Sequence, residues 1–259
     1  MQINIFPTLF VGQNRVNLKE VDSTSNFLKA RLSNSEPLPE GTVIMAERQF
    51  AGRGQQEAVW HAEPGKNLTF SLYLKPSFLH PAQQFYLNMA ISLAVSDTLE
   101  SWIPGQVKIK WPNDIYAGEQ KLGGMLIENT LSGMAIRASV IGIGLNINQE
   151  IFPESLSNRP VSLKNILHKD VDLLHLLGHL CSFIEKRYLQ LRSADYEGLH
   201  VAYESRLLGL GSERQYRQNG EDFAGIILGV NEEGRLKVLT SGKEVVFGFK
   251  EIIFLTTHS

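Results

Sequence analysis

An α+β body followed by a small all-β module is the architecture this sequence predicts, and three observations predict it. Alternating or β-branched apolar runs of strand length occur at Thr42–Glu47, Leu68–Leu74, Val107–Trp111, Leu122–Glu128 and Ser139–Ile147. Apolar residues at helical spacing recur over Pro81–Ile103, Leu173–Leu191 and Tyr196–Leu207. Past Gly209 the helical texture stops, and Phe223–Phe254 reads as strand punctuated by glycine. The expected division is therefore 1–208 and 209–259.

In chain order, Asp22-Ser23-Thr24-Ser25 offers hydroxyl and carboxylate caps for a short helix whose apolar face is Phe27, Leu28 and Leu32. Pro37 and Pro39 end it, and the strand Thr42–Glu47 follows. Leu68, Phe70, Leu72 and Leu74 alternate with Thr69, Ser71 and Tyr73, the pattern of a half-buried strand. Pro81 suits a first helical position, and Leu87, Ala90, Ile91, Ala94, Val95, Leu99 and Trp102 form a stripe wide enough to cover a sheet. Val107–Trp111 is stopped by Pro112, and Ala117-Gly118-Glu119 reads as a hairpin turn before Leu122–Glu128. In the second unit, turns fall at Asn231–Gly234 and Ser241-Gly242. A β module this small is expected to need docking to the larger body.

Composition narrows the function classes. The 259 residues are 43% hydrophobic and 20% charged, as in ordinary folded proteins. A net charge of -2 gives no electrostatic footprint for nucleic acid. Cys181 has no internal disulfide partner, and the segment Met1-Gln2-Ile3-Asn4 lacks the features of a secretory signal, which points to the cytoplasm. The longest apolar stretch, Phe85–Ile103, is interrupted by Asn88, Ser92, Ser96, Asp97 and Glu100, so no membrane role is expected.

Some apparent motifs fail on inspection. Gly142-Ile143-Gly144 follows a strand, but Ile147 stands where a dinucleotide fingerprint needs its third glycine. Gly65-Lys66-Asn67 lacks both the first glycine and the hydroxyl of a phosphate-binding loop. His175 and His179 are four apart on a helix, yet no Glu follows His175, so no protein-held metal is expected.

Three other segments are rich in residues that are costly to place. In Gln49-Phe50-Ala51-Gly52-Arg53-Gly54, two glycines allow close backbone approach to a ligand, and the arginine between them offers a fork for carboxylate or phosphate. Lys110-Trp111-Pro112-Asn113-Asp114 ends a strand in an aromatic, a turn and a carboxylate. Lys121-Leu122-Gly123-Gly124-Met125-Leu126-Ile127-Glu128 places a lysine at a strand start, beside a backbone opened by two glycines. Taken singly, each is about as well explained as a surface turn or a bulge.

In order and spacing, together with Trp60 and Gly142–Asn148, these segments resemble the biotin–protein ligase family. The family's Gly-Arg-Gly loop and following Trp match Gly52-Arg53-Gly54 and Trp60, its Lys-Trp-Pro-Asn-Asp matches 110–114, and its Lys-Leu-Gly/Ala-Gly matches 121–124. The resemblance covers Val21 to about Asn148 closely and the carboxy-terminal module loosely. It implies a mixed sheet flanked by helices, related to class II aminoacyl-tRNA synthetases, followed by an SH3-like barrel. It also implies a reaction: biotin and ATP, with Mg2+, give biotinyl-AMP and pyrophosphate. The biotinyl group then passes to a lysine of the acceptor domain of a biotin-dependent carboxylase, the biotin carboxyl carrier protein.

The resemblance further implies that Ser23, Thr24, Ser25 and Gln49, with Gly52, Gly54, Gly123 and Gly124, form the biotin site. Arg53 and Lys121 face the biotin carboxylate and the α-phosphate, where cations offset the repulsion of two anions. By the same resemblance Trp60 would pack on adenine, while Gln55, Asn113 and Asn146 would contact the nucleotide. Asp114 orients the incoming lysine and helps remove its proton. Metal is expected only as the Mg2+ that arrives with ATP.

Regulatory members carry an amino-terminal helix-turn-helix. Too few residues precede Asp22 for one, so no repressor function is expected. One departure from the family stands out. Gln55-Gln56-Glu57-Ala58-Val59 has no basic residue where relatives have several, which predicts a looser grip on biotinyl-AMP. The competing readings are a lipoate ligase or octanoyltransferase, which lacks Lys-Trp-Pro-Asn-Asp, and a biotin-binding regulator that no longer activates ATP. A homodimer joined through a sheet edge is compatible with the sequence, although no residue marks such an edge.

Overall fold

The computed structural model describes residues 6–33, 38–54, 59–153 and 159–255. Its body is a seven-stranded mixed sheet in the order β1-β2-β3-β7-β6-β5-β4. The strands are β1 (Arg15–Val21), β2 (Val43–Gln49), β3 (Leu68–Leu74), β4 (Val107–Lys110), β5 (Asp114–Ala117), β6 (Gln120–Ser132) and β7 (Ala135–Leu145). β1 and β2 run parallel, joined across helix α1 (Thr24–Ser33), and every other neighbouring pair is antiparallel.

Helices α2 (Gln84–Glu100), α3 (Leu163–Leu167), α4 (Leu173–Arg192) and α5 (Tyr196–Ser205) complete the body. The helix read at Pro81 starts with a 3-10 turn, Pro81–Gln83, capped by the His80 side chain, and becomes α-helical at Gln84. A proline at N1 lacks only an N–H that the first turn leaves unpaired anyway. α2 is buried on almost every side. It packs on α4 and α5, and its apolar residues share one core with Leu68, Phe70, Leu72 and Leu74 of β3.

β3 corrects the expectation of a half-buried strand, since all seven of its residues are buried. Its polar face, Thr69, Ser71 and Tyr73, points toward α1. There Leu28, Ile44, Tyr73 and Val140 form a second, smaller apolar cluster. Alternation separates the two faces of a strand but does not say whether a helix covers the second one. β1, the strand Glu213–Gln218 and the five-residue α3 were not legible in the sequence. β1 is an edge strand with mixed polar burial, and α3 is too short to show a period.

The carboxy-terminal part is a five-stranded antiparallel sheet in the order β11-β10-β9-β8-β12. Its strands are β8 (Glu213–Gln218), β9 (Glu221–Val230), β10 (Leu236–Thr240), β11 (Lys243–Phe247) and β12 (Ile253–Phe254). Both expected turns are present, with positive φ at Gly234, Ser241 and Gly242. The sheet docks on the turn joining β4 to β5. Trp111 Nε1 donates to Gly234 O at 2.9 Å, and the indole stacks on Phe249 at 5.2 Å between centroids. Arg214 forms two bonds to Glu119 across the junction, at 2.6 and 3.0 Å. Among the described residues no helix is long and apolar enough to cross a membrane.

Candidate active site

A cavity of about 220 Å3 opens on the α1 side of the sheet. Register puts Gly124 of β6 opposite Gly144 of β7, and Leu126 opposite Gly142. Glycine at three of these four positions lowers the sheet surface into a floor. At Gly144 the requirement is steric: a Cβ would lie 2.5 Å from the indole of Trp60, which packs flat on that backbone. Gly142 likewise leaves room for Ser25, whose Oγ would be 2.8 Å from an added Cβ. The pair that failed as a dinucleotide fingerprint is thus the floor of the cavity.

One end of the cavity is neutral and polar. Gln49 Oε1 accepts from Thr24 N at 2.7 Å and from Thr24 Oγ1 at 3.0 Å. Ser71 Oγ lies 2.8 Å from Thr24 Oγ1 and 2.9 Å from Ser25 Oγ. These groups come from the start of α1, the end of β2 and the middle of β3. The helix start presents its hydroxyls because Ser23, Thr24 and Ser25 sit where the chain leaves β1 and the first turn begins.

The other end is charged. Lys121 Nζ lies 2.7 Å from Asp114 Oδ1, both side chains being partly buried. The β5–β6 hairpin brings them together, with Asp114 opposite Gly124 and Lys121 opposite Tyr116. Gly124 leaves space for the pair, since a Cβ there would meet Asp114 Oδ1 at 2.8 Å. The Lys121 backbone is fixed on its far side, donating to Arg159 O at 3.1 Å and accepting from Val161 N at 2.9 Å. Beneath it, Lys110 Nζ reaches Tyr116 Oη at 3.3 Å and sits 5.1 Å from the centre of the Phe254 ring. Burial lowers the Lys110 pKa, against the opposing pull of the Asp114 charge, and burial raises that of Tyr116.

Arg53 borders the cavity with its guanidinium held by Glu128. Nη2 donates to Oε1 at 3.0 Å and Nη1 to Oε2 at 3.2 Å, while Nη1 also reaches Asn26 Oδ1 at 3.1 Å. Lys29 pairs with the same carboxylate. Burial pushes the Glu128 pKa up, but the hydrogen bonds from Lys29 and Arg53 outweigh it and leave the pKa below the ordinary value.

Eleven of the residues singled out in the sequence border this one cavity. Ser23, Thr24, Ser25 and Gln49 stand at the neutral end, and Arg53, Gly54, Asp114, Lys121 and Gly124 at the charged end, with Trp60 and Asn146 also on the wall. Trp60 Nε1 is buried without a hydrogen-bond partner among the described residues, a donor available to a ligand.

Three of the expected residues lie behind the wall. Asn113 is buried and gives its amide to Met125 O at 2.6 Å, which braces β6. Gly52 accepts from Trp60 N at 2.9 Å, and Gly123 packs against Leu145. Asn146 keeps its place on the wall, but its amide points to Val161 O at 3.3 Å and Lys121 O at 3.5 Å. Gln55 lies outside the described residues, as do the other residues of the unusual loop except Val59.

The sequence assigns no role in the site to Ser71, Thr69 or Glu128. Ser71 and Thr69 read as the polar side of a strand, and Glu128 as the end of one. The available signal was parity, because Ser71 and Thr69 share a strand face with each other, as Glu128 does with Gly124.

Neutral hydrogen-bonding groups at one end and paired charges at the other, on a mixed sheet with helices, define an enzyme acting on a small molecule with a polar head and an anionic part. Residues 18–146 match the model of the biotin/lipoate A/B protein ligase family. The bifunctional ligase/repressor BirA of Bacillus subtilis is 32% identical over 237 residues, covering 90% of this chain and 72% of that protein. The biotin–[acetyl-CoA-carboxylase] ligase of Mycobacterium tuberculosis is 30% identical, covering 91% and 87%. The solved structure of biotin protein ligase from Aquifex aeolicus in complex with biotin and ATP superposes with a TM-score of 0.79 at 30% identity, covering 94% of this chain and 99% of that one. The chain belongs to the biotin/lipoate A/B protein ligase family, among its biotin–protein ligases.

Proposed function

We infer that this protein is an ATP-dependent biotin–protein ligase, a biotin–[biotin carboxyl carrier protein] ligase. The observation that carries the reading is the joining, in one cavity, of the Ser23–Ser25 and Gln49 end to the Lys121–Asp114 end. In the first half-reaction the biotin carboxylate oxygen attacks the α-phosphorus of ATP. A new O–P bond forms, and the bond to pyrophosphate breaks. Lys121 and Arg53 lower this barrier by opposing the charge of two anions brought together in a site of reduced dielectric. In the second, a lysine amine attacks the biotinyl carbonyl and AMP leaves. Asp114 takes the proton that the amine must lose, and its pairing with Lys121 holds it toward the cavity.

The hydroxyls of Thr24 and Ser25 and the amide of Gln49 suit a neutral ureido group, which both donates and accepts. Bound magnesium would neutralise phosphate charge. Among the described residues no group of three metal-ligating side chains exists, and Asp114 is the carboxylate on the cavity wall. That donor set fits an ion carried mainly by the nucleotide phosphates.

The same reading takes 1–208 as the catalytic unit and 209–259 as an SH3-like unit. It places the enzyme in the cytoplasm with a carboxylase acceptor domain as protein substrate and without nucleic acid, in line with the net charge of -2. ATP–pyrophosphate exchange tests the activity. Exchange that depends on biotin and not on lipoate, followed by transfer to a purified acceptor domain with ATP and Mg2+, is the expected result. Exchange driven by lipoate, or biotin binding without exchange, overturns it.

A further inference from the structure

Arg53 carries five N–H groups, and the structure accounts for three of them. Both hydrogens of Nη1 are taken, by Asn26 Oδ1 and Glu128 Oε2, and one of Nη2 by Glu128 Oε1. Glu128 therefore grips the end of the guanidinium, the edge formed by its two terminal nitrogens. What remains is the Nε–H and the outer Nη2–H, neither of which bonds to a partner among the described residues. These two lie side by side on the lateral edge of the plane, parallel donors spaced to accept a second carboxylate or a phosphate.

Glu128 is itself held from several directions. Lys29 of α1 binds the same carboxylate, so two cations share one anion and the trio keeps a net positive charge. Asn26, which completes the grip on Arg53, is anchored by its own amide on Asp22 Oδ2 at 2.7 Å. The strand position of Glu128 is rigid, paired with Val140 in the middle of the β6–β7 ladder. Arg53, by contrast, stands in a loop whose local pairing, among the described residues, is one isolated bridge to Val59. An arginine on such a backbone has many rotamers, and a carboxylate on a central strand is a fixed point to which it can be referred.

We propose that Glu128 is a positioning residue for the adenylation step: it fixes the guanidinium plane of Arg53 so that the lateral fork left open by Glu128 and Asn26 faces the charged end of the cavity, where the anionic groups of the ligands would meet. This rests on the biotin–protein ligase reading, which makes the ligand a carboxylate brought to an α-phosphate. Glu128 touches neither. It acts by removing rotamer freedom from Arg53 before the substrates arrive, and the Lys29 charge keeps the carboxylate from cancelling the attraction of Arg53 for them.

A double-mutant cycle on biotin-dependent ATP–pyrophosphate exchange tests this, using wild type, E128A, R53A and R53A/E128A. Loss of orientation should lower kcat/KM in E128A by roughly ten- to a hundredfold, with thermal midpoints checked for every variant. In the R53A background the second substitution should change kcat/KM by less than about twofold, because a residue that acts only through Arg53 has no further effect once Arg53 is gone. E128Q, which keeps the shape and loses the charge, should fall between wild type and E128A and serves if E128A does not fold. Multiplicative losses in the double variant would show a structural role independent of Arg53 and overturn the proposal. Wild-type rates in both E128A and E128Q would do the same. Wild type that shows no biotin-dependent exchange would bring down the functional reading itself.

Discussion

β3 shows two different surfaces on its two sides. Toward α2 it presents Leu68, Phe70, Leu72 and Leu74, which join a large apolar core. Toward α1 it presents Thr69, Ser71 and Tyr73, and the neighbouring strands add Gly124, Gly142 and Gly144 on that side. The first face is close-packed throughout, whereas the second, beyond the cluster of Tyr73 with Leu28, Ile44 and Val140, opens into the cavity. Hydrophobic burial and dispersion act on the first with nothing to orient a ligand, whereas the second gives up packing to glycine and hydroxyl groups so that a polar molecule can be held. A sheet allows this because alternate residues belong to different environments while sharing one backbone. Substitutions on one face should therefore affect stability, and those on the other should affect rate.

Leu72→Ala is the strongest test on the packed face. It should cost about 2–5 kcal/mol of stability, read from denaturant unfolding, while exchange per folded molecule stays near wild type. A comparable loss of kcat at full folding would break the division. Lys121→Ala, at the hollow face, should do the reverse: adenylate formation falls by about a hundred- to a thousandfold and the thermal midpoint stays nearly fixed.

Asp114→Asn sharpens the picture within the charged end. Transfer to the acceptor lysine should fall by about a hundredfold and adenylation by much less, measured as separate half-reactions in single-turnover experiments. Equal losses would mean that Asp114 serves mainly to hold Lys121. Ser71→Ala has the smallest expected effect. It removes a partner from both Thr24 and Ser25, so about 1 kcal/mol per lost neutral hydrogen bond should appear as weaker biotin binding by calorimetry.

Contiguous features were legible before any coordinates. The strands at 68–74 and 107–110, the three long helices and the two carboxy-terminal turns follow from periodicity and turn chemistry, which act within a few residues. Much of the candidate site was legible too, because Ser23–Ser25, Arg53-Gly54, Asp114, and Lys121 with Gly124 lie in short segments that each bring residues to the cavity. Asn113 shows the limit. Within its motif it reads as a ligand contact, and the bond from its amide to Met125 O has no signal in the chain.

Sequence alone determined the family, the α+β class and the choice of Arg53, Asp114 and Lys121 as charged candidates, because order and spacing of short segments survive without knowledge of what faces them. Only the tertiary structure decided what those groups touch. Ser71 meets Thr24 across 47 residues and Ser25 across 46, and Glu128 meets Arg53 across 75. Such pairs leave no period in the chain, since strand order and register set them and both depend on how the whole sheet closes.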